Sequence, residues 1–426
     1  MSEPGSAHFS PLLGALLEPL LPAFLGRQSW FREVTRPEGG RRGQPAPSVR
    51  AVELLAPPRG PDGESTLARI VLGVGEATVQ LVVGLRPPAA AAAMLQGRET
   101  AVIGSVDGPG GDRLAYDALA DDEMLLSLLR IASNGAERAV RARVVESRTS
   151  HASVVYDDRL LMKLYRVLEP APRPEVEVML RLDEIGFNHI VAPVALWRRE
   201  GFDLALVREY FAGGLEGRSL ALTSLRDLLG SEWEDPGEPG AADEAIERAG
   251  GDLASEMRRL GETTARMHVA LAEAFGAEQF DGQPLLDAVG RLEGAEASHL
   301  ASRLGPEVGR LGASIRVEGD YHLRRVMRTD AGWIIVGFGD DPSRFARLGP
   351  EGRGALRGSP LDDIADMCIS MLDVADESLS SHGASGSDML RRLADAWVDH
   401  NRRAFLKGYS GFPGIMELLP ERDEAF

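Results

Sequence analysis

Residues 315–342 read IRVEGDYHLRRVMRTDAGWIIVGFGDDP. The segment opens with a short strand from Ile315, turns at Asp320 and His322, and continues as two extended runs, Val326–Thr329 and Trp333–Phe338. The runs are joined by Asp330-Ala331-Gly332. Three linking residues that end in glycine, between β-branched and aromatic runs, predict a hairpin with Gly332 at the left-handed position. A rigid two-stranded ribbon of this kind carries Asp320 on one side and whatever follows Phe338 on the other, both facing one crevice.

Composition narrows what such a unit can belong to. The chain has 426 residues, of which 44% are hydrophobic and 26% charged, as expected of a globular protein of about two or three domains. A formal charge of −18 argues against nucleic acid as a main partner, because a phosphate backbone needs a concentrated basic surface. The single cysteine, Cys368, lies in the apolar run Ile364–Leu372 and reads as a packed thiol. With no second cysteine to bridge to, a cytoplasmic location is expected. The run PLLGALLEPLLPAFL contains Glu18 and internal prolines and lacks a basic flank. It is too short to span a bilayer and is expected to be an amphipathic helix capped by Ser10, with Pro11 at its first position and its end near Leu25.

Outward from the central stretch, Val49–Leu55, Thr66–Leu72 and Ala77–Leu85 read as strands. Asp121, Asp122 and Glu123 open a helix at its positive end. Two strands around Ser147, Arg148, Thr149 and Ser150 lead into the apolar strand Leu160–Tyr165, where Lys163 needs a counter-charge if buried. A helix from Pro174 carries Glu175 and Glu177, and the strand Asp203–Tyr210 runs through Glu209 to Phe211 and a Gly-Gly pair. Leu253, Met257, Leu260, Thr264, Met267, Leu271 and Phe275 mark one face of a long helix. Ser359 and Pro360 start another that bears Asp363, and Met389–Lys407 is the last. His189 and His268 are read as packing residues.

These pieces, in this order, resemble maltokinases and their aminosugar-kinase relatives in the aminoglycoside-phosphotransferase branch of the kinase fold. The family's HGDLHLGQ motif is matched at Gly319, Asp320, His322 and Leu323. Glu318 stands for its first His, Arg325 for its Gln, Gly337 for the Asp that ends the second strand, and Gly339 for the acidic residue beyond. The pattern EQSNTSVVFGDRLILKLF is matched at Glu146, Ser147, Thr149, Ser153 and Lys163, and SPLRDVAGM by the segment from Ser359 to Met367. Phe405-Leu406-Lys407-Gly408-Tyr409 is similar to the closing FLxGY, and Trp30-Phe31 to a cap motif whose Gly-Lys pair is replaced by Arg32-Glu33-Val34.

The resemblance implies an α+β, bilobal protein-kinase-like fold with an N-terminal cap. Its parts are a cap at 1–143, a small lobe with nucleotide loop and hinge at 144–212, and a helical lobe with the catalytic loop at 213–426. It implies ATP and magnesium, with Asp320 as catalytic base. Ser147, Thr149 and Ser150 are placed on the phosphates, Lys163 is held by Glu177, and Glu209 and Phe211 lie at the adenine hinge. His322 falls on the sugar side, and Asp363 supports the catalytic loop. The metal positions, Arg325 and Gly337, carry no metal ligand. Asp340 and Asp341 are the displaced candidates, read as a solvated turn because adjacent residues of an extended chain face opposite sides. Two functions follow from this pattern. One is a kinase phosphorylating maltose or a related sugar or aminosugar, slowed about a thousandfold or more by the missing ligands. The other is a pseudokinase acting as a binding or regulatory module in maltose, trehalose or glycogen metabolism.

Overall fold

The computed structural model describes residues 8–9, 11–34, 46–55, 65–108, 111–147, 151–231, 246, 253–279, 312–338, 357–381 and 388–419. They divide into two compact units, Met1–Arg173 with Ala192–Ala212, and Pro174–Val191 with Gly213–Phe426.

The first unit is built on two antiparallel sheets. In the larger, Ser48–Leu55, Thr66–Val74, Ala77–Arg86 and Gly111–Asp117 lie side by side, flanked by His8–Phe9 and Val102–Gly108, with Val167–Leu168 added beside Ala77–Arg86. Gly75, with φ 58°, makes the turn between the two long central strands. Both strands are buried at most positions on both faces. Alternate residues therefore serve separate cores, as the period of two requires. Ala68, Ile70 and Leu72 pack with Phe24, Trp30 and Phe31, whereas Leu67 and Val82 pack with the Asp122–Ala132 helix and the second sheet. That sheet has the order Pro193–Arg199, Phe202–Glu209, Leu160–Tyr165, His151–Tyr156, Ala142–Ser147. Gln80, 2% exposed, links the two sheets by donating to the carbonyls of Tyr165 and Leu204.

The N-terminal run is not one helix. Pro11–Leu17 and Leu21–Leu25 are separate short helices, because Pro19 and Pro22 cannot donate the backbone bonds that would carry one helix through. The polyalanine stretch forms the helix Pro88–Met94. Among the described residues no helix is long and apolar enough to cross a membrane.

The second unit is mainly helical. Leu253–Phe275 and Asp388–Ser410 pack along their length, and glycine makes the close approach possible. A Cβ at Gly261 would run into the backbone of Phe405, and one at Gly408 into the backbone of Arg258. The central ribbon is present with its link one residue shorter than the sequence suggests: Thr329 pairs with Gly332, leaving Asp330-Ala331 as the turn and φ 121° at Gly332. The second strand ends at Ile335 rather than Phe338, with one further bond in the same register beyond it, the Val336 N–H donating to the Arg325 carbonyl at 2.9 Å. His189 braces this strand, its Nδ1 lying 3.0 Å from the Trp333 carbonyl while the Ile335 N–H donates to the His189 carbonyl.

Candidate functional site

The loop that carries Asp320 is held by a buried polar chain. The strand Ala313–Arg316 delivers the backbone to Glu318 and Gly319, the latter at φ 87°. Asp363, in the first turn of the Pro360–Ser381 helix, accepts from the Glu318 N–H at 2.8 Å and the Gly319 N–H at 2.9 Å. His268 Nε2 lies 3.1 Å from the same carboxylate, and its Nδ1 lies 2.9 Å from the Tyr409 hydroxyl. A carboxylate only accepts, so Nε2 carries the proton and the imidazole is oriented by hydroxyl and carboxylate together. Tyr321 is anchored by Thr264 at 2.9 Å. Three helices thereby fix the loop from within the core.

Asp320 projects beyond this support. Its Oδ2 lies 2.9 Å from Arg325 Nη2 and 3.5 Å from His322 Nε2. His322 Nδ1 accepts from the Arg324 N–H at 3.2 Å, so its proton resides on Nε2 and faces Asp320. Burial pushes the Asp320 carboxyl up, but His322 and Arg325 together outweigh it and hold the group below the usual carboxylate range. Beneath it, Glu318 is 1% exposed and accepts from the Asp320 N–H at 2.7 Å. Burial, followed by the neighbouring Asp363, pushes its carboxyl up to about 8 despite Arg325 nearby. Glu318 Oε1 accepts no hydrogen bond among the described residues, the Arg325 Nε being 3.8 Å away.

This donor set does not fit magnesium. The guanidinium of Arg325 brings a fixed positive charge to Asp320 at the position where a metal ligand is expected, and Gly337 has no side chain to offer. Hard divalent cations need several oxygen ligands, and among the described residues no cluster of three or more candidate ligands is formed. Gly339, Asp340 and Asp341 lie outside the described residues.

Beside Asp320 opens a cavity of about 400 Å³. His322, Leu323 and Arg324 form its loop side, and the Pro360–Ser381 helix faces it with Asp366, Asp373 and Glu377. Spacings of seven and four put these three carboxylates on one helical face. Arg218 closes the wall through an ion pair with Glu377. The sequence reading missed the acidic wall and Arg218. The spacing of the three acids was the available signal, but nothing in the sequence said which face of the helix turned inward.

The residues expected at the nucleotide divide between the units. In the first, Lys163 is 8% exposed on a strand registered against Ser153 and Leu206, its ammonium 5.7 Å from the Tyr165 ring. Ser147 ends its strand opposite Ala152, whereas Thr149 and Ser150 lie outside the described residues. Glu209 is exposed with its N–H donated to the Ala192 carbonyl, and Phe211 is half-buried beyond it. In the second unit Glu177 is half-buried on the Pro174–Glu184 helix and helps to sustain the charge of the buried Arg316. Asp320, His322, Arg325 and Asp363 are gathered in that unit.

Comparison with known proteins agrees with this architecture. Residues 24–121 match the maltokinase N-terminal cap domain. A glucosamine kinase from Streptacidiphilus jiangxiensis is 27% identical over 267 residues, covering 55% of this chain and 53% of that protein. The match therefore spans about half the length of that curated relative. A solved glucosamine kinase in complex with glucosamine, ADP and inorganic phosphate superposes with a TM-score of 0.57 at 21% identity, covering 96% of this chain and 90% of the other. A second glucosamine kinase structure gives 0.54 at 21% identity, over 96% and 91%. These likenesses to solved structures establish a shared fold. The chain is thus similar to maltokinases over residues 24–121 and to glucosamine kinases over about half its length, and it has a kinase-like α+β fold.

Proposed function

We propose that this protein is a sugar-kinase relative that binds an amine-bearing sugar and ATP but transfers phosphate weakly. The observation carrying this reading is the 2.9 Å contact between Arg325 and Asp320. A catalytic Asp acts by receiving the proton of the acceptor hydroxyl. Here it is tied to a guanidinium and held below its usual pKa, which weakens it as a base. The same guanidinium repels the cation that would offset charge on the phosphates. Asp320 still borders the cavity, so an acceptor sugar can reach it even where transfer is slow.

The acidic wall supports an amine-bearing sugar, since Asp366 and Asp373 complement an ammonium better than a neutral hydroxyl. Maltose is the second reading, favoured by the maltokinase cap. On either reading the chain divides into a cap at 1–143, a small lobe at 144–212 with Ser147, Thr149, Ser150, Lys163, Glu209 and Phe211 toward the nucleotide, and a helical lobe at 213–426. Glu177 serves the same nucleotide site, and the setting is cytoplasmic. The test is phosphoryl transfer from ATP to glucosamine and to maltose, with magnesium and with EDTA, beside calorimetric titration of ADP. Sugar and ADP should bind, with transfer far below the roughly 1–100 s⁻¹ usual for kinases. Magnesium-dependent turnover within that range would overturn the reading.

A further inference from the structure

Two departures from the resembled motif face each other. Glu318 stands for its first His and Arg325 for its Gln, and Arg325 Nε lies 3.8 Å from Glu318 Oε1. Loss of a metal ligand accounts for neither the acid nor its place, since Glu318 is not at a metal position and yet is buried against a fixed cation. A buried carboxyl is costly unless it is neutral or paired, so its effect on its neighbours depends on its proton.

The two oxygens of Glu318 have different surroundings. Oε2 accepts from the Asp320 N–H at 2.7 Å, whereas Oε1 accepts no hydrogen bond among the described residues. A proton on this carboxyl therefore resides on Oε1, the oxygen toward Arg325. In that form the carboxyl O–H and the guanidinium N–H groups are all donors, and Asp320 is the anion that Arg325 reaches, at 2.9 Å from Nη2. Once the proton is gone, Oε1 is a charged acceptor, and a shift of about 1 Å brings Nε within hydrogen-bond distance of it. The Glu318 side chain is wholly buried and that of Asp320 is 26% exposed, so water screens the pull of Glu318 less.

The other groups facing Glu318 do not compete for this role. They are Asp363 on the Pro360–Ser381 helix, Asp320 and the Tyr321 phenol, with His268 and Tyr409 behind Asp363. Burial pushes both phenols up, so they stay protonated where Glu318 titrates. Of the groups that face Glu318 directly, Arg325 is the cation.

We propose that Glu318 is a positioning residue that sets Asp320 through Arg325: with its proton it leaves the guanidinium on Asp320, and without it draws the guanidinium onto its own Oε1, freeing Asp320 to act as base. One proton passes from Glu318 Oε1 to solvent, Arg325 stays protonated, and no other bond to hydrogen is made or lost. Transfer is then held back at neutral pH and released in mildly alkaline solution. This rests on the reading of Asp320 as the base of a sugar-kinase relative.

The test compares the full chain with Glu318→Gln, which keeps an oxygen for the Asp320 N–H but cannot ionise. Carbon-13 NMR of the Asp320 carboxyl, assigned with Asp320→Asn, should show a step at about pH 8 in the parent and none in the variant. The Arg325 Nε–H resonance should move in the same step, as its bond to Oε1 forms. The rate of transfer from ATP to glucosamine or maltose, taken as parent over variant, should rise about tenfold from pH 7 to pH 9, as the ionised fraction of a group titrating at about 8 does. The ratio cancels the titration of ATP and sugar. A purely structural Glu318 would give a ratio constant with pH, which would overturn the proposal, as would a step that persists in Glu318→Gln. Should the variant fail to fold, the parent alone decides: no step at about pH 8 overturns the proposal. Transfer absent at every pH, with the step present in the parent only, would sink the sugar-kinase reading and leave the coupling of Glu318 to Asp320 standing.

Discussion

Arg325 Nη2 and His322 Nε2 converge on one oxygen of Asp320, at 2.9 and 3.5 Å, leaving the second oxygen of the carboxylate outside both contacts. Arg325 reaches this position over the buried Glu318, with its Nε 3.8 Å from Glu318 Oε1. One guanidinium thus serves two carboxylates, one wholly buried and one at the cavity.

Arg325→Gln should therefore act on both. Glu318 keeps its proton up to about 8 and so loses a neighbouring cation rather than an ion pair. Asp320 loses its 2.9 Å partner, but this pair is partly exposed, so a loss of about 0.2–1 kcal/mol is expected by denaturant titration. The Asp320 carboxyl should titrate higher in the variant than in the parent, as read by NMR of its side-chain carbon. An unchanged titration would mean that His322 alone holds it down.

Glu318→Gln addresses the pH dependence. The unfolded carboxyl loses its proton near its ordinary value of 4.5, while the folded one keeps it up to about 8. Between those values the unfolded chain binds fewer protons, so Glu318 lowers stability progressively as pH rises through this window. Asp320 acts in the opposite sense and at lower pH, because its pKa is depressed: its stabilisation is complete above the ordinary Asp value and is lost as pH falls through the folded one. Glutamine does not titrate. The melting temperature of Glu318→Gln relative to the parent should rise from pH 5 to pH 8 and level off above. A difference that is constant with pH would show that Glu318 is ionised in the fold at neutral pH.

Much of the architecture was legible because it rests on local signals. The strands around Thr66 and Ala77 follow from β-branched runs, and the helix from Pro360 follows from its Ser-Pro start, with the Ser359 hydroxyl accepting from the Leu361 N–H at 3.2 Å. The early ending of the ribbon at Ile335 was not legible, since the apolar run continues in sequence to Phe338. Nor was the break near Pro19, where an apolar pattern continued across residues that cannot sustain a helix. At the site, the substitution of Arg325 was plain in the motif, but its partner was not. The motif could equally have sent the guanidinium toward a ligand. Glu318 becomes interpretable only with its burial, which pushes its carboxyl up to about 8.

The helix crossing gives a test of the second unit independent of the site. Gly261→Ala and Gly408→Ala each place a methyl group against the backbone of the opposite helix, where no side chain can move aside. Overpacking of this kind costs about 1–3 kcal/mol, occasionally more, against an intrinsic helix gain of up to about 1 kcal/mol from replacing glycine. Both variants should be destabilised in urea. A gain in stability would mean that the two helices can separate without loss, contrary to their packing.

The final prediction is that transfer can be partly restored. Gly337 stands where the resembled motif has its strand-ending Asp, and Arg325 where it has Gln, so Gly337→Asp with Arg325→Gln rebuilds two oxygen donors while removing the cation from Asp320. Each single change does half the work: the aspartate alone would meet the Arg325 charge, and the glutamine alone would lack its companion ligand. The effects should be non-additive, with the double variant raising magnesium-dependent transfer to glucosamine or maltose at least tenfold above the product of the single effects. Gly337 is buried, and an aspartate there bears a desolvation cost until the metal binds. The melting temperature of the double variant must therefore be measured first, with and without magnesium and ATP; a ligand at about 100 times its dissociation constant adds about 2.7 kcal/mol. A folded double variant that is stabilised by ATP with magnesium yet transfers no phosphate would show that the defect lies outside the two metal positions. A folded one that binds no nucleotide would leave sugar binding as the activity of this protein.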